Sequence, residues 1–76
     1  MIVKDLYNVF DFESVDLLTV SEDNNRADGG CNVIYVSENP AEDKEELLEF
    51  ADKEVTYIWP YNMGRNLCLD VTVKNK

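Results

Sequence analysis

An α+β fold is the class that this sequence predicts, and three observations predict it. An apolar stripe with helical spacing lies near the N-terminus, a helix-start signal precedes an amphipathic stretch in the middle, and four other segments have strand-like apolar patterns. Their order is helix, strand, strand, helix, strand, strand. We therefore expect a single small domain over residues 1–76, with a four-stranded, mostly antiparallel sheet that carries two helices on one face.

The first half of the chain predicts a helix followed by a hairpin. Val3, Leu6, Tyr7 and Phe10 recur at i, i+3, i+4 and i+7, which predicts a helix over residues 3–10. The branched residues of 15–21 predict the first strand, with Val15, Leu17 and Thr19 on one face and Leu18 and Val20 on the other. A polar loop over residues 22–30 separates it from a second strand over residues 31–37, and antiparallel pairing is the simplest connection.

The second helix has the clearest start signal in the sequence. Asn39 is a suitable N-cap, Pro40 suits the first helical position, and Glu42 stands where the acid of a capping box belongs. We expect the helix to run from Pro40 to about Asp52. Its apolar side is predicted to consist of Leu47, Leu48 and Ala51, with Phe50 at the border.

Two further strands follow the second helix. Residues 55–59 predict the third strand, which Pro60 prevents from continuing as a central ladder, and residues 61–66 predict a turn. Residues 67–73 alternate cleanly and predict the fourth strand. Its inward positions are Leu67, Leu69, Val71 and Val73, and its outward positions are Cys68, Asp70 and Thr72.

The net charge of −9 narrows the choice of partners. It disfavours direct binding to nucleic acid or to anionic membrane surfaces and favours basic proteins. The sequence has no apolar segment long enough to predict a secretory signal or a membrane span, so we expect a cytoplasmic protein. Cys31 and Cys68 are too few for a disulfide framework and are expected to be reduced thiols in or near the core, rather than a bridge.

The composition argues against an enzyme and against a cofactor. The chain has no His, which removes the usual general base and the commonest zinc ligand. The segment that begins at Asp23 resembles a calcium loop, but Ala27 and Asp28 stand where an oxygen ligand and a Gly are required. No glycine pattern for phosphate binding is present. We expect no catalytic residues, no metal and no cofactor.

Acidic residues are concentrated from Glu38 to Glu54. With Lys44 and Lys53 subtracted, this stretch carries six of the nine net negative charges. Neighbouring carboxylates at i, i+3 and i+4 repel one another and destabilise a helix. The segment is either a solvated surface helix or a surface that binds a cationic partner. The candidate partner-binding residues in it are Glu42, Glu45, Glu46, Glu49 and Asp52.

Two smaller features extend this set of candidates. Glu22, Asp23 and Asp28 enlarge the negative surface if the hairpin tip bends toward the second helix, and otherwise belong to a solvated turn. Trp59 and Tyr61 are possible aromatic anchors for a protein partner. We expect Trp59 to pack in the core, which leaves Tyr61 as the better anchor candidate.

Taken in order, VKDLYNVF, VIYVS, NPAEDKEELLEFADKEV and VTYIWP resemble the elements of small acidic proteins from phages and mobile elements of low-GC bacteria. Within that group the chain is similar to anti-CRISPR proteins, several of which imitate nucleic acid. The resemblance implies a non-enzymatic inhibitor that blocks the nucleic-acid channel of a basic defence protein, such as a Cas effector, in an infected or lysogenic bacterium. The alternative is a phage accessory or assembly module that binds a protein without mimicry.

Overall fold

Four β-strands form one sheet in the part of the chain that the structure, a computed structural model, describes: residues 1–23 and 31–74. The strands are β1 (Leu17–Asp23), β2 (Cys31–Ser37), β3 (Val55–Met63) and β4 (Asn66–Lys74). The predicted combination of helices with a four-stranded sheet is confirmed. The first strand begins two residues later than predicted and extends into the predicted loop. The rest of that loop lies outside the described residues.

The helical segments are shorter and less regular than predicted. A 3-10 turn (Val3–Asp5) leads into α1 (Leu6–Val9), and a second 3-10 turn (Phe12–Ser14) precedes β1. The second helix consists of α2 (Lys44–Leu47) and a 3-10 turn (Leu48–Phe50). Short helical pieces of this kind depend on packing against the sheet, because isolated helices of such length are unstable in water.

The sheet has the order β2-β1-β4-β3, with two antiparallel hairpins joined in the middle. β1 pairs with β2, and β3 pairs with β4, in antiparallel fashion, whereas β1 and β4 are parallel. The sheet is therefore mixed, which corrects the predicted, mostly antiparallel arrangement in detail. The alternation along a strand predicts which face is buried but carries no information on the direction of its neighbour.

The core lies between the helical segments and one face of the sheet. Leu18 and Val20 of β1 lie beside Leu69 and Val71 of β4, in the register that the parallel pair imposes. Leu6 and Leu47 from the two helices join this cluster, so both helices cover the same face. The buried cluster comprises Val3, Leu6, Phe12, Val15, Leu18, Val20, Leu47, Leu69, Val71 and Val73.

The N-terminal residues are fixed to the segment that precedes β3. The Val3 amide donates to the Lys53 carbonyl at 2.9 Å, and the Val55 amide donates to the Met1 carbonyl at 2.7 Å. The first bond gives a partner to the amide at the start of the first 3-10 turn, and the second joins the first residue of β3 to the N-terminal residue. As a result, α1 is held beside the second helical segment, over the core.

The predicted helix start at Asn39 is wrong. Residues 40–42 form a turn in which the Glu42 amide donates to the Asn39 carbonyl at 3.0 Å, and α2 begins only after Asp43. The Asn39 amide donates to the Ser37 hydroxyl at 3.2 Å. That bond fixes the chain beyond β2 in a turn before helical geometry begins, so the capping box does not form.

Pro60 does not end the third strand. β3 continues through Pro60 to Met63, and the turn to β4 is formed at Gly64, whose φ is 65°. β3 is an edge strand, where a missing N–H leaves no neighbouring strand without a partner. The prediction of a turn over residues 61–66 is therefore wrong for residues 61–63, which belong to β3, and for Asn66, which begins β4.

Two apolar residues, Leu48 and Cys31, lie elsewhere than predicted. Leu48, assigned to the apolar side of the second helix, is 57% exposed because the segment changes to 3-10 geometry at this residue. The two cysteines are not joined in a disulfide, and Cys31 is exposed on an edge strand, whereas Cys68 is buried. Cys68 occupies an outward position of β4, and its neighbours across the sheet, Leu17 and Tyr61, flank it.

Candidate functional site

The acidic segment, defined as Glu42, Glu45, Glu46, Glu49 and Asp52, follows the second helical region along its whole length. Glu42 lies in the turn before α2, Glu45 and Glu46 in α2, Glu49 in the 3-10 turn, and Asp52 just beyond it. All five side chains are exposed. The structure thus places these candidate residues on the surface of one short stretch of chain.

Three contacts hold the acidic segment against the domain. Leu47 is buried in the core, and the Phe50 ring lies 5.8 Å from the Tyr35 ring of β2. The Ser37 hydroxyl donates a 2.6 Å hydrogen bond to the Asp43 carboxylate. Because the inward positions are occupied in this way, the five acids are left at the positions that face solvent.

Lys44 in α2 and Lys53 beyond the 3-10 turn do not neutralise the acidic segment. Lys44 places its Nζ 5.6 Å from the centroid of the Tyr7 ring, a cation–π arrangement. Lys53 donates to Glu22 at 3.3 Å. None of the five acids forms an ion pair within residues 1–23 and 31–74. Their repulsion and their field therefore persist at the surface.

The three hairpin acids are not placed alike. Glu22 points to the helical side of the sheet, where its bond to Lys53 brings the end of β1 close to the second helical region. That bond also neutralises it. Asp23 lies on the opposite face of the sheet, because neighbouring residues of a strand alternate. Asp28 lies outside the described residues.

The aromatic candidates occupy the face of the sheet that the helices leave uncovered. Trp59 is 53% exposed, so the prediction that it packs in the core is wrong. Tyr61 is half-buried on the same face. Trp59 sits opposite Asp70 in the β3–β4 register, and Asp70 alternates with the buried Leu69 and Val71. The register therefore directs Trp59 away from the core.

We call this surface the open face. It contains the outward-facing residues of all four strands, and several large apolar side chains on it are exposed. By register and alternation its members are Cys31, Val33 and Val36 of β2; Leu17, Thr19, Ser21 and Asp23 of β1; Cys68, Asp70, Thr72 and Lys74 of β4; and Tyr57, Trp59, Tyr61 and Met63 of β3.

A row of aromatic residues runs along β3 on the open face. Tyr57 and Trp59 stack with ring centroids 6.2 Å apart and an angle of 8° between their planes. Burial raises the pKa of the Tyr61 hydroxyl, and the nearby Asp70 and Cys68 raise it further. Sequence reasoning missed Tyr57, Met63 and Asp70. The period-two repeat of large side chains from Tyr57 to Met63 is the signal, once Pro60 is accepted within an edge strand.

The charges at the margin of the open face are arranged unevenly. Lys74 donates to Glu54 at 2.7 Å, and this hydrogen bond lowers the pKa of the Glu54 carboxyl and raises that of the Lys74 ammonium. Asp70 forms no ion pair within the described residues. Lys74, the cation among the described residues of this face, is therefore already engaged, and the Asp70 carboxylate is left beside the aromatic row.

Two shallow depressions adjoin these surfaces. One, of about 350 Å³, lies at the end of the open face and is lined by Asp16, Leu17, Glu38, Met63, Asn66 and Cys68. The other, of about 290 Å³, lies beside the acidic segment and is lined by Tyr7, Lys44, Glu45 and Leu48. The Asp16 carboxylate accepts a hydrogen bond from the Leu67 amide at 2.9 Å, so this side chain of the first depression has a structural role.

Within the described residues, no group of three or more Cys, Asp or Glu side chains is arranged to hold a metal ion. Nor does any helix in residues 1–23 and 31–74 have the length and apolar character needed to cross a bilayer. Comparisons with protein-family models, curated proteins and solved structures give no match to this chain.

Proposed function

We propose that this protein is a non-enzymatic inhibitor that imitates nucleic acid with its acidic segment and occupies the nucleic-acid channel of a basic protein. The observation that carries the proposal is the exposure of five carboxylates over residues 42–52, with no ion pair to any described residue. Following the resemblance to anti-CRISPR proteins, the proposed target is a bacterial defence protein of the Cas effector class.

The spacing of the acids supports this proposal. Five carboxylates fall within the eleven residues 42–52, so this short stretch carries a dense negative charge, as a nucleic-acid strand does with one charge per about 3.4 Å. A groove lined by Lys and Arg would meet charges at a density to which it is adapted. The net charge of −9 adds long-range attraction to such a groove.

The proposed mechanism is competition without turnover. While the acidic segment occupies the channel, the polynucleotide cannot enter, and dissociation of the inhibitor restores the target. Nucleic-acid binding weakens with salt because condensed ions are released on association. An acidic mimic bound in the same channel is expected to share this sensitivity to ionic strength.

The test is a binding titration on a purified basic effector, with displacement of labelled nucleic acid as a second readout. The triple variant E45Q/E46Q/E49Q removes three charges with little change in size. We expect it to bind at least tenfold more weakly and to displace less nucleic acid. Binding of unchanged strength by the triple variant would refute the proposal.

A matched control separates the acidic segment from total charge. Glu13 is an exposed acid in the 3-10 turn before β1, and E13Q removes one charge, as E46Q does. E46Q is expected to weaken binding more than E13Q does. Equal losses would mean that net charge, rather than the acidic segment, governs the association.

The second candidate function is a phage accessory or assembly module that binds a protein without mimicry. The exposed row of Tyr57, Trp59 and Met63 on the open face favours it, because aromatic residues dominate the energetics of protein interfaces. Such an interaction would tolerate added salt. It would be weakened by Tyr61→Ala and would survive E45Q/E46Q/E49Q.

A further inference from the structure

The open face is an uncovered sheet surface with a defined chemical pattern. Both helices and the core lie on the other side of the sheet, and among the described residues no element packs over the outward side chains of β3. Tyr57, Trp59 and Met63 are each more than half exposed. Large apolar side chains grouped on one face in this way are typical of an interaction surface.

The pattern at the centre of the aromatic row suits a planar cation. The Tyr57 and Trp59 rings are exposed and nearly parallel, with their centroids 6.2 Å apart. Asp70 lies directly opposite Trp59 on the neighbouring strand, half-buried and without an ion pair among the described residues. A guanidinium group stacks on aromatic rings and also pairs with a carboxylate, whereas an ammonium group is held as a compact, strongly hydrated charge.

Charge complementarity decides among the occupants of this face. A second copy of the chain would also carry a charge of −9, and a two-fold interface through this face would place the same acids on both sides. A neutral apolar partner would cover Asp70 and leave its carboxylate unpaired, which is unfavourable. A basic partner satisfies both the carboxylate and the rings.

We propose that the open face binds an arginine-bearing segment of a basic protein, with one guanidinium on the Tyr57–Trp59 pair and bonded to Asp70. The flanking apolar residues, Met63 on β3 and Val33 and Val36 on β2, would contact the aliphatic parts of the same segment. This surface is separate from the acidic segment. The inference therefore goes beyond the proposed function and does not depend on it.

Trp59 supplies the readout, because it is the only Trp in the chain. The probe is a short peptide that alternates Arg and Val, titrated into the full chain while Trp59 fluorescence and the indole N–H signal in NMR spectra are followed. The matched control replaces each Arg by citrulline, which keeps the shape and removes the charge. We expect the Arg peptide to perturb Trp59 and to bind roughly tenfold more tightly than its citrulline counterpart.

Two variants test the residues. D70N keeps size and removes the charge, and Tyr57→Ser removes one ring at an exposed position. Each is expected to weaken binding of the Arg peptide by about tenfold. E13Q, which removes an exposed acid outside both surfaces, is expected to change it less than twofold. A thermal transition like that of the unmodified protein establishes that each variant is folded.

Four results would overturn the inference. They are equal binding of the two peptides, absence of any perturbation at Trp59, unchanged affinity in both D70N and Tyr57→Ser, and sedimentation showing that two copies associate through this face. If E45Q/E46Q/E49Q inhibited the target as well as the unmodified protein while peptide binding stayed intact, only the proposed role of the acidic segment would be refuted. The two proposals are thus separately testable.

Discussion

The Ser37 hydroxyl donates a 2.6 Å hydrogen bond to the Asp43 carboxylate, across the turn between the end of β2 and the start of α2. Ser37 is only 2% exposed, and its oxygen also accepts the Asn39 amide. A single buried hydroxyl therefore holds both sides of this turn. Because Asp43 directly precedes α2, the same bond positions the first residues of the acidic segment.

Replacing Ser37 by Ala is expected to lower the free energy of unfolding by about 1 to 3 kcal/mol, since a hydrogen bond to a charged group is lost in a buried setting. Urea denaturation followed by circular dichroism measures this loss. Ser14→Ala is the matched control, because the Ser14 hydroxyl donates to Asp11 at 3.1 Å in an exposed turn. The control loss should be clearly smaller, and equal losses would contradict the role of burial.

The turn at Ser37 also shows why the start of the second helix could not be predicted from local sequence. Asn39, Pro40 and Glu42 satisfy the local rules for a helix N-terminus. The competing bonds, from Asn39 to Ser37 and from Ser37 to Asp43, join a strand residue to the turn. β2 ends at Ser37 as predicted, but whether the Ser37 hydroxyl bonds to Asn39 and Asp43 depends on the path of the chain after the strand, which the local pattern does not reveal.

The strands were predictable to different degrees for a related reason. β4 alternates strictly, and its buried Leu69, Val71 and Val73 were predicted from that alternation. Trp59 was assigned to the core because it is large and aromatic, but its direction follows from pairing with Asp70. The pairing partner of a strand and its parallel or antiparallel direction are set by contacts between distant segments, so the sequence of one strand does not determine them.

The candidate site divides in the same way. The acidic segment was identifiable from the sequence because its charge is concentrated in one stretch, and the structure places those five residues at the surface. The open face is assembled from four strands, and Asp70 and Trp59 become neighbours only in the sheet. Because its residues come from separate strands, such a surface does not form a continuous motif that could be recognised in the sequence.

Leu69 is expected to be among the most sensitive core positions. It is 2% exposed and lies beside Leu18 in the centre of the sheet. Leu69→Ala should reduce the free energy of unfolding by about 2 to 5 kcal/mol, because it removes buried methyl groups and leaves a cavity. In a chain of this size, that loss approaches the total stability. Chemical denaturation and the thermal midpoint both measure it.

Leu48→Ala provides the comparison for Leu69→Ala. Leu48 is the same residue type but is mostly exposed, so its replacement is expected to change stability by no more than about 0.5 kcal/mol. If Leu48→Ala were as destabilising as Leu69→Ala, the placement of Leu48 outside the core would be contradicted.

Tyr35 is expected to make the fold sensitive to alkaline pH. Loss of solvent raises the pKa of its hydroxyl above 10.0, Ser37 lowers it, and Glu46 and Asp43 raise it. Although Ser37 is near, the buried hydroxyl has no hydrogen-bond partner of good geometry among the described residues. A raised folded-state pKa means that its contribution to stability is complete below about pH 10 and is lost as the pH rises through the folded pKa.

Tyr35→Phe tests this expectation by urea denaturation at pH 8 and again above pH 10. At pH 8 the variant should be as stable as the unmodified protein or more stable, by up to about 1 kcal/mol, because an unsatisfied buried hydroxyl is removed. On going from pH 8 to above pH 10, Tyr35→Phe should lose less stability than the unmodified protein, because it has no hydroxyl to ionise at this position. Tyr7→Phe is the comparison. At pH 8 it is expected to be less stable than the unmodified protein, because it loses the hydrogen bond that the Tyr7 hydroxyl donates to the Lys44 carbonyl at 3.4 Å.

Charge repulsion within the acidic segment is expected to reduce the stability of the free protein. Glu42, Glu45, Glu46 and Glu49 are exposed within eight residues of chain and form no ion pair with any described residue, so their carboxylates repel one another. Added NaCl screens such repulsion between exposed groups. The thermal midpoint of the unmodified protein should therefore rise with salt.

E45Q/E46Q/E49Q should raise the thermal midpoint at low salt and should show a weaker dependence on NaCl, because fewer like charges remain to be screened. Calorimetry over a range of NaCl concentrations measures both effects. E13Q, which removes a single acid outside the acidic segment, should leave the salt dependence nearly unchanged. A triple variant that is less stable than the unmodified protein at low salt would show that these carboxylates stabilise the fold, and the acids would then need no binding partner to explain them.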